Sequence, residues 1–83
     1  RRLLITGAGG SVGSELSRQL ADCRPEVLTL VDHSELHLFE IMKELAERVP
    51  ALAVEPVLAD ISQAPLIRRT ILQAAPDVVF HAA

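Results

Sequence analysis

Gly7, Gly10 and Gly13 stand at three-residue intervals in Thr6-Gly7-Ala8-Gly9-Gly10-Ser11-Val12-Gly13, between the apolar run Leu3-Leu4-Ile5 and a segment of helical periodicity. Outside such a context a glycine triplet is no more than a tight turn. Placed directly between a strand and a helix, it opens a βαβ unit whose loop holds phosphate. Gly7 lets the chain turn sharply off the strand, Gly10 lets the backbone approach a pyrophosphate, and Gly13 lets the helix lie tight against the sheet. The phosphates then meet the free N–H groups and the positive end of that helix. The first helical turn, Ser11-Val12-Gly13-Ser14, carries no acid to occupy that end.

The rest of the chain repeats the alternation. Arg2 to Thr6 reads as a buried parallel strand. Val12, Leu16 and Leu20 then recur along one face of a helix from Ser11 to Asp22, with Ser14, Ser17, Arg18 and Gln19 on its other faces. Pro25 stops any continuation, and Val27 to Val31 forms a second strand with Asp32 at its end. Ser34 is a good cap for a second helix whose apolar face is Leu38, Ile41, Met42, Leu45 and Val49, ended by Pro50 and exposed along Glu40, Glu44 and Glu47. Ala53 to Leu58 follows as a third strand. Ser62 is expected to cap a third helix with Pro65 in its first turn and Ile67, Ile71 and Ala74 buried, and Val78 to His81 is the fourth strand.

This β-α-β-α-β-α-β order calls for an α/β fold, a Rossmann-type parallel sheet of strand order 3-2-1-4 with right-handed crossovers. A doubly wound sheet normally continues past its fourth strand. Residues 1–83 are therefore expected to be the N-terminal part of a single dinucleotide-binding domain, truncated after strand four.

Composition narrows the function. With 49% apolar and 23% charged residues the 83-residue chain is globular, and a net charge of −3 without a basic stripe argues against nucleic acid as a partner. The lone Cys23 makes neither an internal disulfide nor a multi-cysteine metal site, which suits a reducing, cytoplasmic setting, and it reads as a small residue at a helix end. No apolar run approaches the roughly 18–20 residues of a membrane span. There is no tyrosine, and Lys43 is the only lysine, so a tyrosine–lysine acid/base pair cannot be assembled from these residues.

Around the loop, Asp32 lies nineteen residues past Gly13, where an acid accepts hydrogen bonds from the adenosine ribose; its alternative role is a helix-start acid for the second helix. Asp60 ends the third strand and can face the adenine amino group with the N–H of Ile61 beside it, or serve as a turn residue before Ser62. His33 and His37 read as exposed polar residues at a helix start, not metal ligands, and His81 as a positioning residue near the cofactor. A nucleoside-triphosphatase loop is excluded, because the required offset from Gly7 and Gly9 falls on Val12 and Ser14, and no lysine follows any glycine. Asp32 followed by His33 and Ser34, with no arginine there, favours NAD over NADP.

The stretch Thr6 to Leu16 resembles the opening of extended short-chain dehydrogenase/reductases. Val31-Asp32-His33-Ser34-Glu35 and Pro76-Asp77-Val78-Val79-Phe80-His81-Ala82-Ala83 narrow the resemblance to the bacterial nucleotide-sugar 4,6-dehydratases of polysaccharide biosynthesis, lyases that act on UDP-N-acetylglucosamine and related sugars. The resemblance implies that Gly7, Gly10, Ser11, Val12 and Gly13 touch the pyrophosphate, Asp32 and His33 the ribose, Asp60 and Ile61 the adenine, and Ala82 and Ala83 the adenosine side of NAD. It also implies hydride removal from C4 of the sugar, loss of water across C5 and C6, and hydride return to C6. The family's catalytic lysine motif and sugar-binding segment lie beyond Ala83, so the nucleotide sugar would be met by downstream residues, and the 83 residues alone would be inactive. Long members carry an N-terminal membrane region, which admits a parent anchored at the cytoplasmic face of the membrane; a homo-oligomeric parent is a separate expectation. The alternatives are another extended dehydrogenase/reductase, such as a nucleotide-sugar 4-epimerase, and a non-catalytic NAD(P)-sensing module.

Overall fold

A computed structural model describes residues 1–83. The elements are β1 (Arg2–Thr6), α1 (Ser11–Asp22), β2 (Val27–Asp32), α2 (Glu35–Arg48), β3 (Val54–Leu58), α3 (Ala64–Ala74) and β4 (Val78–His81). All pairings are parallel and the strand order is β3-β2-β1-β4, as the alternation predicts. The chain winds outward from β1 to β3, then crosses to the far side of β1 to place β4. That reversal leaves a crevice at the carboxyl ends of β1 and β4, the position where doubly wound sheets bind ligands.

Successive side chains on a strand point to opposite faces, and this sorts the core into two layers. Leu3, Ile5, Leu28 and Leu30 pack with Ala21 of α1 and with Leu38, Ile41, Leu45 and Val49 along and just past α2. Leu4, Val31 and Ala59 face the other way, against Ile67, Ile71 and Ala74 of α3. Leu4, Ile5, Leu28 and Leu30 have no exposed surface. Each such side chain contributes about 1.5–3 kcal/mol through burial.

Several sequence expectations are corrected. The buried stripe of α1 is Gly13, Ser17 and Ala21, not the stripe through Val12, which is 70% exposed. Leu16 and Leu20 are half-buried at the margin of the core. Small residues bring the helix axis close to the sheet, and bulkier neighbours then flank the contact. Ser17 is tolerated inside because its hydroxyl donates to the carbonyl of Gly13 at 2.7 Å. On α2, Glu44 is half-buried rather than exposed, because it pairs with Arg18 of α1. The N-cap of α3 is Gln63, not Ser62, and no side chain caps it. The N–H of Ser62 is instead bound by Asp60. Ile67, Ile71 and Ala74 are only half-buried, since α3 is the one helix on its face of the sheet; the buried residue of α3 is Thr70.

Candidate functional site

The carboxyl ends of the strands are laced together by backbone hydrogen bonds. The N–H of Ala8 donates to Val31 (3.1 Å), that of Ala59 to Asp32 (2.9 Å) and that of Ala82 to Thr6 (3.0 Å). On this platform Gly7, Gly10, Asp32, His33, Asp60, Ile61, Ala82 and Ala83 line a single groove of about 500 Å³, joined by His37. Residues from four separate segments thus meet at the crevice. Ser11 and Val12 are exposed on the first turn of α1, outside this lining, and Gly13 is buried beneath the loop.

The four glycines have different reasons for being glycine. Gly7 has φ of +70°, and a Cβ there would sit 2.7 Å from the backbone nitrogen of Ala83. A Cβ on Gly9 would meet Cβ of His37 at 2.6 Å and Oδ2 of Asp32 at 3.0 Å, and one on Gly13 would meet the carbonyl oxygen of Gly7 at 1.8 Å. Gly10 is unlike these. Its backbone is extended (φ −75°, ψ 178°), and its only neighbour within reach of a Cβ is the Gly7 oxygen at an ordinary 3.6 Å. Packing gives no reason for glycine at position 10, and the space beside it is open.

Gly10 is also the N-cap of α1 and offers no side chain to its N–H groups; the first turn contains no acid. The carbonyl of Gly10 accepts from Ser14 (2.8 Å), and the N–H groups of Ser11, Val12 and Gly13 precede the first intrahelical bond. At this positive end of α1 Ser11 and Val12 are exposed, a setting suited to an anion.

Asp32 is 5% exposed and its carboxylate is shared between two segments. Oδ2 accepts the N–H of Gly9 at 2.7 Å, and Oδ1 accepts the N–H of Ser34 at 2.9 Å. The Ser34 hydroxyl in turn accepts the N–H of His37 at 3.2 Å, which makes Ser34 the cap of α2 as expected from sequence. Each carboxylate oxygen retains a further lone pair for another donor. Nδ1 of the exposed His33 lies 3.7 Å from Oδ1.

At the far side of the groove Asp60 accepts the N–H of Ser62 at 2.9 Å, which closes the turn into α3. That backbone bond, with the Ser62 side chain and the His33 imidazole acting in the same sense, holds the Asp60 carboxyl below its ordinary value. Asp60 is thus a turn residue and an ionised wall of the groove together. Across the sheet, the Thr6 hydroxyl and Nδ1 of His81 are 2.7 Å apart at the ends of β1 and β4. Sequence reasoning did not single out Gly9 or His37 for this site. Their contact joins segments far apart in sequence, and no local pattern signals it.

A family profile described as "Polysaccharide biosynthesis protein" matches residues 3–83. Among curated proteins, the capsular polysaccharide biosynthesis protein CapD of Staphylococcus aureus is 34% identical over 84 aligned residues, covering 100% of this chain and 14% of that protein. An uncharacterized membrane protein of Methanocaldococcus jannaschii is 32% identical, covering 100% of this chain and 23% of its own length. Among solved structures, the UDP-glucose-4-epimerase of Stenotrophomonas maltophila, with bound NAD and formylated UDP-arabinopyranose, superposes with a TM-score of 0.80 at 26% identity, covering 99% of this chain and 24% of the enzyme.

Proposed function

The chain belongs to the polysaccharide biosynthesis protein family, and on that footing we propose that it is the dinucleotide-binding portion of an NAD-dependent nucleotide-sugar 4,6-dehydratase. The observation that carries the reading is the open space at Gly10, beside the exposed first residues of α1 and within the groove that Asp32 and Asp60 line. In this assignment Gly7, Gly10, Ser11, Val12 and Gly13 cradle the pyrophosphate, Gly13 through its backbone alone. Asp32 and His33 receive the ribose hydroxyls, Asp60 and the N–H of Ile61 face the adenine, and Ala82 and Ala83 form the wall on the adenosine side.

When bound, NAD supplies the hydride acceptor and donor for such a dehydration. The residues of this chain bind and orient: the helix N-terminus neutralises phosphate charge, and Asp32 selects an unphosphorylated ribose by like-charge repulsion of a 2′-phosphate. The nucleotide sugar and the acid/base groups belong to other parts of the protein. The chain spans 14% of the length of CapD. No helix here is long and apolar enough to cross a membrane. A membrane-anchored parent is supported by the name of the M. jannaschii relative.

The structural likeness to an epimerase with bound NAD favours a second reading, a nucleotide-sugar 4-epimerase. Incubating the full-length protein with UDP-N-acetylglucosamine and NAD separates the two. A 4-keto-6-deoxy product is expected, whereas a 4-epimer supports the second reading, and NAD binding without any turnover supports a sensing module.

A further inference from the structure

Resting on the dinucleotide reading, we infer that Asp32 is also a positioning residue for the phosphate loop, acting through Gly9 on a part of the ligand that it does not touch. Besides Ala8, buried in the core with Leu38 and Ile41, the loop is held at Gly9. Gly9 is seated so closely on the first turn of α2 that a Cβ would fall 2.6 Å from Cβ of His37, and its N–H donates to Oδ2 of Asp32 at 2.7 Å. The other oxygen of the same carboxylate holds the N–H of Ser34 at the start of α2. One buried carboxylate therefore bolts the glycine loop to the helix that follows β2.

Gly10, whose open side faces the groove, is the next residue along. Its position, and that of the α1 donors after it, follows from where Gly9 is held. Two acceptor oxygens facing two N–H donors cannot be imitated by an amide. Asn at position 32 keeps one oxygen and turns an NH₂ group toward the other N–H, so either Gly9 or Ser34 loses its acceptor. The loop then occupies its binding shape only part of the time. Apparent affinity falls by that fraction for every ligand that uses the loop, whether or not it carries ribose hydroxyls.

The test compares ADP with 2′,3′-dideoxy-ADP on the full-length protein, well below the thermal midpoint of each variant, so that only folded protein is titrated. Asp32→Asn is expected to weaken dideoxy-ADP by about tenfold, with a larger loss for ADP. Gly9→Ala, which keeps the carboxylate but pushes the loop off α2, is expected to weaken both nucleotides by the same factor. If either folded variant binds dideoxy-ADP as the wild type does, Asp32 acts on the ribose alone and the inference is overturned. Wild-type protein that binds neither nucleotide overturns the dinucleotide reading itself.

Discussion

The carbonyl oxygen of Gly7 occupies the place that a side chain at position 13 would need: a Cβ on Gly13 would lie 1.8 Å from it. The contact is backbone against the start of a helix, and neither can yield without moving α1 off the sheet. Gly13→Ala is therefore expected to lower stability by about 3 kcal/mol, the upper range for overpacking of a tight core. Chemical denaturation checks this, and an unchanged midpoint would show that the first turn of α1 can shift freely.

Gly10→Val should behave in the opposite way. The Cβ meets nothing closer than 3.6 Å and the extended backbone suits a β-branched residue, so the circular dichroism should stay near wild type and the thermal midpoint should fall only slightly, through loss of a glycine N-cap. Its methyl groups would fill the space assigned to the pyrophosphate, and NAD binding should be lost. Unaltered NAD titration in this variant would reduce the loop to a turn.

For Asp32→Ala, weaker NAD binding and a narrower gap to NADP are expected, with both dinucleotides bound poorly because no cation replaces the acid. A charge-assisted hydrogen bond contributes about 1.5–3 kcal/mol, so the loss for NAD is on the order of tenfold or more. Parallel titrations at equal ionic strength decide the matter. Wild-type protein that binds NADP as tightly as NAD would remove the ribose assignment.

Part of the acid sensitivity should reside between α1 and α2. Arg48 makes two hydrogen bonds to Asp22, at 2.7 and 2.9 Å, and Arg18 joins Glu44 of α2 and Glu15 of its own helix. Hydrogen bonds from Arg48 and Arg18 hold the carboxyls of Asp22 and Glu44 below their ordinary values. The unfolded chain then binds these protons more readily than the folded one. The pairs' stabilisation is present above the unfolded carboxylate range and is lost as pH falls through the lowered folded values. Arg48→Gln should be slightly less stable at neutral pH and lose less on acidification, the effect being modest because the pairs are exposed. Thermal midpoints across the acid range will show whether the two curves converge.

The 83 residues by themselves should bind NAD without turning over a UDP-sugar. Among them there is no tyrosine, and their single lysine, Lys43, lies on the exposed surface of α2. Release of any sugar product by the purified chain would contradict this.

Element order, strand order and the ends of most elements were legible in the sequence. Runs such as Leu3-Leu4-Ile5, the period of Leu38, Ile41 and Leu45, and the breaks at Pro25 and Pro50 are properties of near neighbours, and right-handed crossovers leave parallel strands few other orders. The glycine loop and Asp32 were legible for the same reason, being local to the ends of two strands. Which face of α1 turns inward was not. Apolar spacing favoured the stripe through Val12, but the contact of Gly13 with the Gly7 carbonyl selects the small-residue stripe. Tertiary structure alone also separated Gly10, left open to the groove, from Gly9, pressed against His37 and tied to Asp32. Those roles depend on whether a Cβ would meet a packed neighbour at 2.6 Å, as at Gly9, or at 3.6 Å, as at Gly10, whereas periodicity records only what each residue does for its own helix or strand.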